Sequence, residues 1–296
     1  DAPGLNPGER DGMSVSSFTL FPDTPIGLTQ HLGLTLRWLD TVPMGGASGV
    51  VAVRRAARAV QAGDVDVVAC VAGDANQIDS FRKLLSSFSR FSMDATYPYG
   101  FGGPNASFAL LMDAYMAEYG ATREDFGRIA VAQRANALKN LDALMKKPLT
   151  LEQYLGARMI AEPIALFDCV MPCAGAEAFL VMREEEAVRR GLTFARIAGT
   201  IERQNAFPED PIQLRGGWAA DIGELWEMAG CAPEDIDLLQ TYDDYPVISM
   251  MQIEDLGFCK KGGAAAFVRA RDLTVAGDFP HNTSGGQLSV GQAGAA

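Results

Sequence analysis

Met44-Gly45-Gly46-Ala47-Ser48-Gly49, followed by Val50 to Ala62 and, after Gly63, by Val65-Asp66-Val67-Val68-Ala69-Cys70-Val71-Ala72, is the stretch whose reading decides the fold. The run Val65–Ala72 is almost continuously apolar, as expected of a strand buried on both faces. Val50 to Ala62 carries small and apolar residues on most of its faces, which suits a buried helix. Arg37 to Val42 ahead of the glycine turn reads as another strand. Strand, glycine turn and buried helix together form the geometry in which backbone N–H groups at a helix start face a ligand. An α/β protein follows.

Working outward, Gly12 to Ser17 reads as a strand, Pro25 to Gly33 as a short helix with a terminal glycine, and Ala178 to Met182 as a second buried strand. Helices are expected over Ala106–Tyr119, from Arg123 to about Asn140 with Thr122 as N-cap, and over Arg183–Arg190, Trp218–Ala229 and Pro246–Leu256. Phe167–Met171, Ala195–Ile201 and Asp237–Tyr242 read as strands, and Lys260–Ala265 as a glycine-rich loop. Residues 75–165 interrupt the β-α rhythm. Their aromatic residues Phe88, Phe91, Tyr97, Tyr99 and Phe101 suit an excursion over the sheet that meets a lipid substrate or stabilises a dimer.

The chain ends on Phe279-Pro280-His281-Asn282-Thr283-Ser284-Gly285-Gly286-Gln287-Leu288-Ser289-Val290-Gly291-Gln292 and a few small residues. Paired glycines there mark backbone pressed close to a neighbour. The turn at 44–49 and the turn at 283–289 are both rich in small residues, which suggests an internal duplication: an N-terminal half over 1–190 and a C-terminal half over 191–296 that reads as cut short.

Composition narrows the function. The chain has 296 residues, 48% of them hydrophobic and 21% charged, enough for a large core. A net charge of −12 argues against nucleic acid, which needs clustered cations. No run reaches the ~20 apolar residues of a membrane helix, and no secretory leader pattern opens the chain, so a cytoplasmic protein is expected. Five scattered cysteines fit neither a disulfide framework nor zinc spacing, and no metal is expected.

These pieces resemble the thiolase superfamily, in its branch of sterol-carrier-protein-like and lipid-transfer-type homologues. The carrying stretches are Gly45–Gly63 with its following strand, Pro148–Leu155, Asp168-Cys169, Tyr242-Asp243 with Gln252–Cys259, and Asn282–Gly286, in family order from about residue 35 onward. The resemblance implies a five-layered α/β/α/β/α fold of two similar halves, coenzyme A as part of an acyl-CoA substrate, no covalently bound cofactor, and a homodimer. It also places Gly46, Ser48, Asn282, Gly285 and Gly286 around the substrate.

Departures from the family pattern decide the chemistry. Gly46 stands where acyl-transferring members carry their nucleophilic cysteine, Tyr242 where they carry one catalytic histidine, and Gln292 where they carry another. Ping-pong acyl transfer needs the thiolate. The chain is closer to the cysteine-less steroid side-chain aldolases, which cleave a β-hydroxyacyl-CoA by retro-aldol chemistry with tyrosines moving protons, beside a small OB-fold partner with a zinc ribbon. Tyr242 is then the expected acid or base, Asp243 orients it or caps a helix, Gln292 donates to an oxyanion, and His281 is a reserve base. Acyl transfer and a non-catalytic acyl-CoA-binding scaffold remain the alternatives.

Overall fold

In the computed structural model, residues 9–76, 97–100 and 103–294 are described. In chain order their strands are β1 (Gly12–Ser16), β2 (Trp38–Thr41), β3 (Val67–Ala75), β4 (Met159–Ala161), β5 (Ile164–Ala165) and β6 (Ala174–Met182). Their α-helices are α1 (Pro25–His31), α2 (Ser48–Ala62), α3 (Pro104–Tyr119), α4 (Arg123–Ala137), α5 (Leu151–Leu155), α6 (Glu184–Arg189), α7 (Ile222–Ala229), α8 (Pro246–Asp255), α9 (Ala264–Ala270) and α10 (Gly286–Val290). The expected α/β class is present, in two compact units. One comprises Asp1–Gln77, Cys173–Thr200 and Ala293–Ala296, the other Ile78–Pro172 and Ile201–Gln292. This is a division by packing; the halves expected at 1–190 and 191–296 are a division by repeat, which packing does not test.

The first unit holds a four-stranded sheet in the order β2-β1-β3-β6. β1 runs parallel to β2 and β3, whereas β6 pairs antiparallel with β3 from Val67↔Met182 to Ala75↔Ala174. α2 packs on this sheet through Val51, Ala52, Ala56, Ala59 and Val60, which meet Val65, Val68, Cys70 and Val181. Helical spacing gathers these side chains on one stripe, and their small size lets the helix sit close. The stretch quoted at the outset thus builds the unit as expected, except that the sheet is mixed.

The second unit is helical and centres on α4. Thr122 and Asp125 form a capping box at its start, and Arg269 of α9 binds the Asp125 carboxylate through two hydrogen bonds of 2.6 and 2.7 Å. Phe126, Ile129 and Ala130 fill the core with Met112, Tyr115, Tyr154, Met250, Ile253 and Leu288. The far end of α4 is polar and equally buried. Arg134 donates to the Ser289 hydroxyl and the Lys147 carbonyl, while the Asn136 amide donates to the His281 carbonyl and accepts from the Val275 N–H. These bonds anchor the terminal loop to the core.

Several expected strands are absent. Phe167–Met171 starts inside a 3-10 turn, Leu166–Asp168, because Asp168 turns back to accept the Ala165 N–H and the Tyr154 hydroxyl. Ala195–Ile201 forms no strand, and of Asp237–Tyr242 only Leu239 forms a bridge, to His281. Apolar alternation favours extended backbone, but a strand also needs a neighbouring ladder. The expected glycine-rich loop at Lys260–Ala265 ends at Ala264, where α9 begins. Of the expected aromatic excursion, Phe88, Phe91 and Phe101 lie outside the described residues. Tyr97 and Tyr99 sit in an exposed 3-10 turn.

Gly127 on α4 gives a test of this packing. A Cβ there would lie 2.6 Å from the Tyr154 ring and 2.7 Å from Leu151. Gly127→Ala gains up to ~1 kcal/mol of helix propensity but overpacks the α4–α5 contact, which costs ~1–3 kcal/mol. A lower melting temperature is expected in thermal denaturation. A melting temperature above wild type would show that α5 does not pack as described.

Candidate active site

The candidate site is built from Tyr242-Asp243-Asp244-Tyr245, between Leu239 and α8, and from the terminal loop. The two segments are joined at the Leu239↔His281 bridge, where Leu239 donates to the Pro280 carbonyl and accepts from the Asn282 N–H. Asn282, at φ +42, places its side-chain oxygen on the Thr241 N–H at 2.7 Å and its amide on the Thr241 carbonyl at 3.2 Å.

Asp243 is 1% exposed and accepts the N–H groups of Gln287 and Leu288 at the start of α10. It caps α10, not α8, and it does not orient Tyr242. Burial pushes its carboxyl up to about 7, with those two N–H groups pulling the other way. Gly286 is obligatory here. A Cβ on it would fall 2.1 Å from the Asp243 carboxylate, at φ +60.

The residue that orients Tyr242 is Asp244, which sequence reasoning passed over. The Tyr242 hydroxyl donates to one Asp244 oxygen, and the Gln292 amide donates to the other at 2.7 Å. Burial raises Asp244 to about 6, against the two hydrogen bonds that favour its charged form. Burial and the neighbouring Asp244 charge both raise the Tyr242 phenol above its ordinary range, so the resting side chain is the neutral phenol. The only signal in the sequence was proximity, a second carboxylate two residues from Tyr242. Gln292 is held from behind by its own N–H on the Met171 carbonyl, at 2.8 Å. The expected oxyanion donor thus has one amide hydrogen already placed on Asp244. Beside this group, the Tyr245 hydroxyl donates to the Asn105 side-chain oxygen at 2.5 Å.

His281 is fully buried, with Nε2 2.8 Å from the Thr241 hydroxyl and Nδ1 without a hydrogen-bond partner. Burial lowers its pKa to about 4. Gly285, at φ +117, is pressed against Ala137 of α4. Gly46 and Ser48 belong to the other compact unit. Gly46 lies in the 3-10 turn Gly45–Ala47 leading into α2, and the buried Ser48 hydroxyl donates to the Gly45 carbonyl at 2.6 Å while accepting the Met44 N–H. That hydroxyl caps a turn, and its hydrogen-bond partners among the described residues are both backbone groups. Burial also pushes the thiols of Cys70, Cys169 and Cys259 up to about 12, which keeps them protonated.

The buried imidazole has a consequence for stability. His281 stays neutral in the folded protein down to about pH 4, whereas the unfolded chain takes up its proton near 6.5. Folded stability therefore falls as pH drops through that window, by roughly 3 kcal/mol from this group. Asp243 and Asp244, raised above 3.8, contribute the opposite slope, losing stability as pH rises toward 7 and 6. His281→Gln isolates the histidine. Denaturant unfolding should show the gap between wild type and variant shifting in favour of the variant from pH 7 to pH 4, and a constant gap would refute the neutral buried imidazole.

The chain as a whole is similar to known proteins. A family model described as Thiolase C-terminal domain-like matches residues 222–296. The chain is 31% identical to the 17-hydroxy-3-oxo-4-pregnene-20-carboxyl-CoA lyase of Mycobacterium tuberculosis, over 96% of this chain and 78% of that protein. It is 32% identical to the steroid side-chain-cleaving aldolase of Thermomonospora curvata, over 96% and 76%. Among solved structures, the Ltp2-ChsH2(DUF35) aldolase superimposes with a TM-score of 0.84 at 30% identity, covering 98% of this chain and 77% of that one. The expected thiolase-like α/β fold is thereby shown, and the chain belongs to the thiolase superfamily, within the family of steroid side-chain-cleaving aldolases.

Proposed function

We propose that this enzyme cleaves the Cα–Cβ bond of a lipid or steroid β-hydroxyacyl-CoA by a retro-aldol reaction, with Tyr242 as a proton-transfer group. The observation that carries the reading is the Tyr242 hydroxyl held on the half-buried Asp244 carboxylate; the family resemblance implies a histidine at the Tyr242 position in acyl-transferring members. In the reaction the β-hydroxyl gives up its proton as the Cα–Cβ bond breaks. The bond's electrons pass into the thioester enolate, a ketone or aldehyde leaves, and Cα takes a proton. No nucleophile is required, in keeping with Gly46 at the cysteine position and with the protonated thiols.

Coenzyme A enters as part of the substrate, and within the second unit Asn282, Gly285 and Gly286 are proposed to lie at its thioester end. Gln292 retains a second amide hydrogen for the enolate oxygen. His281, buried with no exposed surface, fits a structural place better than contact with a ligand. The enzyme is proposed to act in the cytoplasm as a homodimer with a small OB-fold, zinc-ribbon partner; the second component in the name of the similar Ltp2-ChsH2(DUF35) aldolase supports that partner. Among the described residues, no helix is long and apolar enough to cross a membrane.

The test is incubation of the protein, with and without a candidate partner, with β-hydroxyacyl-CoA esters of varied side chain. Free acyl-CoA plus a carbonyl product is expected, and mixing with acyl-CoA alone should leave no covalent acyl-enzyme by mass spectrometry. Tyr242→Phe should lower kcat by ~10²–10⁴-fold with KM within a few-fold of wild type. Undiminished kcat in that variant would remove Tyr242 from the chemistry.

A further inference from the structure

We infer that Asp244 is the positioning residue that makes Tyr242 reactive, accepting the phenol proton as Tyr242 takes the substrate's hydroxyl proton, with Gln292 fixing the carboxylate from its other side. This rests on the retro-aldol reading. A neutral phenol cannot take a proton without passing on its own. The only acceptor that the Tyr242 hydroxyl bonds among the described residues is Asp244, and that bond is already aligned for transfer.

The proton balance closes. The β-hydroxyl proton moves to the Tyr242 oxygen as the phenol proton moves to Asp244, while the Cα–Cβ bond breaks and its electrons form the enolate. Tyr242 then gives its proton to Cα and takes back the proton held on Asp244, so one proton has passed from oxygen to carbon and the enzyme ends as it began. Asp244 suits both halves of the cycle because its carboxyl sits far closer to neutrality than an ordinary aspartate. The ionisable groups coupled to it are Tyr242, Asp243, Tyr245 and Cys169, none of them a cation. Its charged form therefore depends on the hydrogen bonds from Tyr242 and Gln292. Gln292 also stands where its amide cannot itself exchange protons, so the relay ends at Asp244.

Two measurements test this, one without substrate. With carbon-13 at the aspartate carboxyls, one resonance should titrate near 6, vanish in Asp244→Asn, and move to higher pH in Gln292→Leu, which removes a bond favouring the charged form. A resonance assigned to Asp244 that titrates below ~4.5, as an exposed aspartate does, or ignores Gln292→Leu, would overturn the pairing. In turnover, Asp244→Asn should lose ~10²-fold or more in kcat with KM nearly unchanged and with the acid limb of the kcat profile abolished. Asp244→Glu should restore part of both. Asp244→Asn with wild-type kcat and an intact acid limb would overturn the relay. If Asp244→Asn melts out, Gln292→Leu carries the same test through an upward shift of that limb. Wild-type protein that cleaves no β-hydroxyacyl-CoA would instead reject the aldolase reading, leaving the substrate-free titration to decide the pairing.

Discussion

A carboxylate almost without solvent contact, Asp243, ties the segment before α8 to the loop that ends in α10. Two backbone N–H groups at the start of α10 aim at it, and Gly286 must lack a side chain to let it in. Asn282 bonds the same strip of backbone at Thr241, so the two contacts together hold the loop against Leu239 and Thr241. Tyr242, Asp244 and Gln292 hang from the two joined segments. Their mutual aim is inherited from the capping aspartate beside them.

The carboxylates of this unit divide by their partners. Asp125 is paired with Arg269, Asp168 lies 3.8 Å from Arg123, and Glu254 and Asp255 share Lys261. These acids hold helices together, each with a cation nearby. Asp243, buried, and its neighbour Asp244, half-buried, have no cation among the described groups that shift them. Burial without a counter-ion destabilises the charged form and draws both carboxyls toward neutral pH. Such an arrangement costs stability, which makes sense where a proton must come and go. It also separates neighbours: Asp243 is satisfied by backbone N–H groups, while Asp244 is satisfied by a phenol and an amide.

Much of this was legible in the chain itself. The run from Met44 to Ala72 contains its own strand, turn and helix, because small residues at helical spacing and a continuous apolar stretch leave little choice of structure. Thr122 with Asp125 announces the start of α4 through local hydrogen bonds alone. Tyr242 and Gln292 were identified as departures from a family pattern, which is information about residue type at a position. Segments such as Ala195–Ile201 misled because their apolar pattern favours extension while no ladder is present to complete a strand.

What only the tertiary structure decided is which neighbour each polar side chain serves. Asp243 and Asp244 are the same residue type side by side, yet one caps a helix more than forty positions away and the other grips Tyr242 and Gln292. The reason is geometric: the chain bends at Asp244 just before α8, and what each of the two carboxylates meets is set by the packing of distant segments. Burial then fixes the chemistry, raising the two carboxyls and silencing His281, and burial is a property of the folded whole. The sequence by itself determined the α/β class, the run from Met44 to Ala72 and the family; the fold decided which partner each polar side chain meets, because those partners come from distant segments.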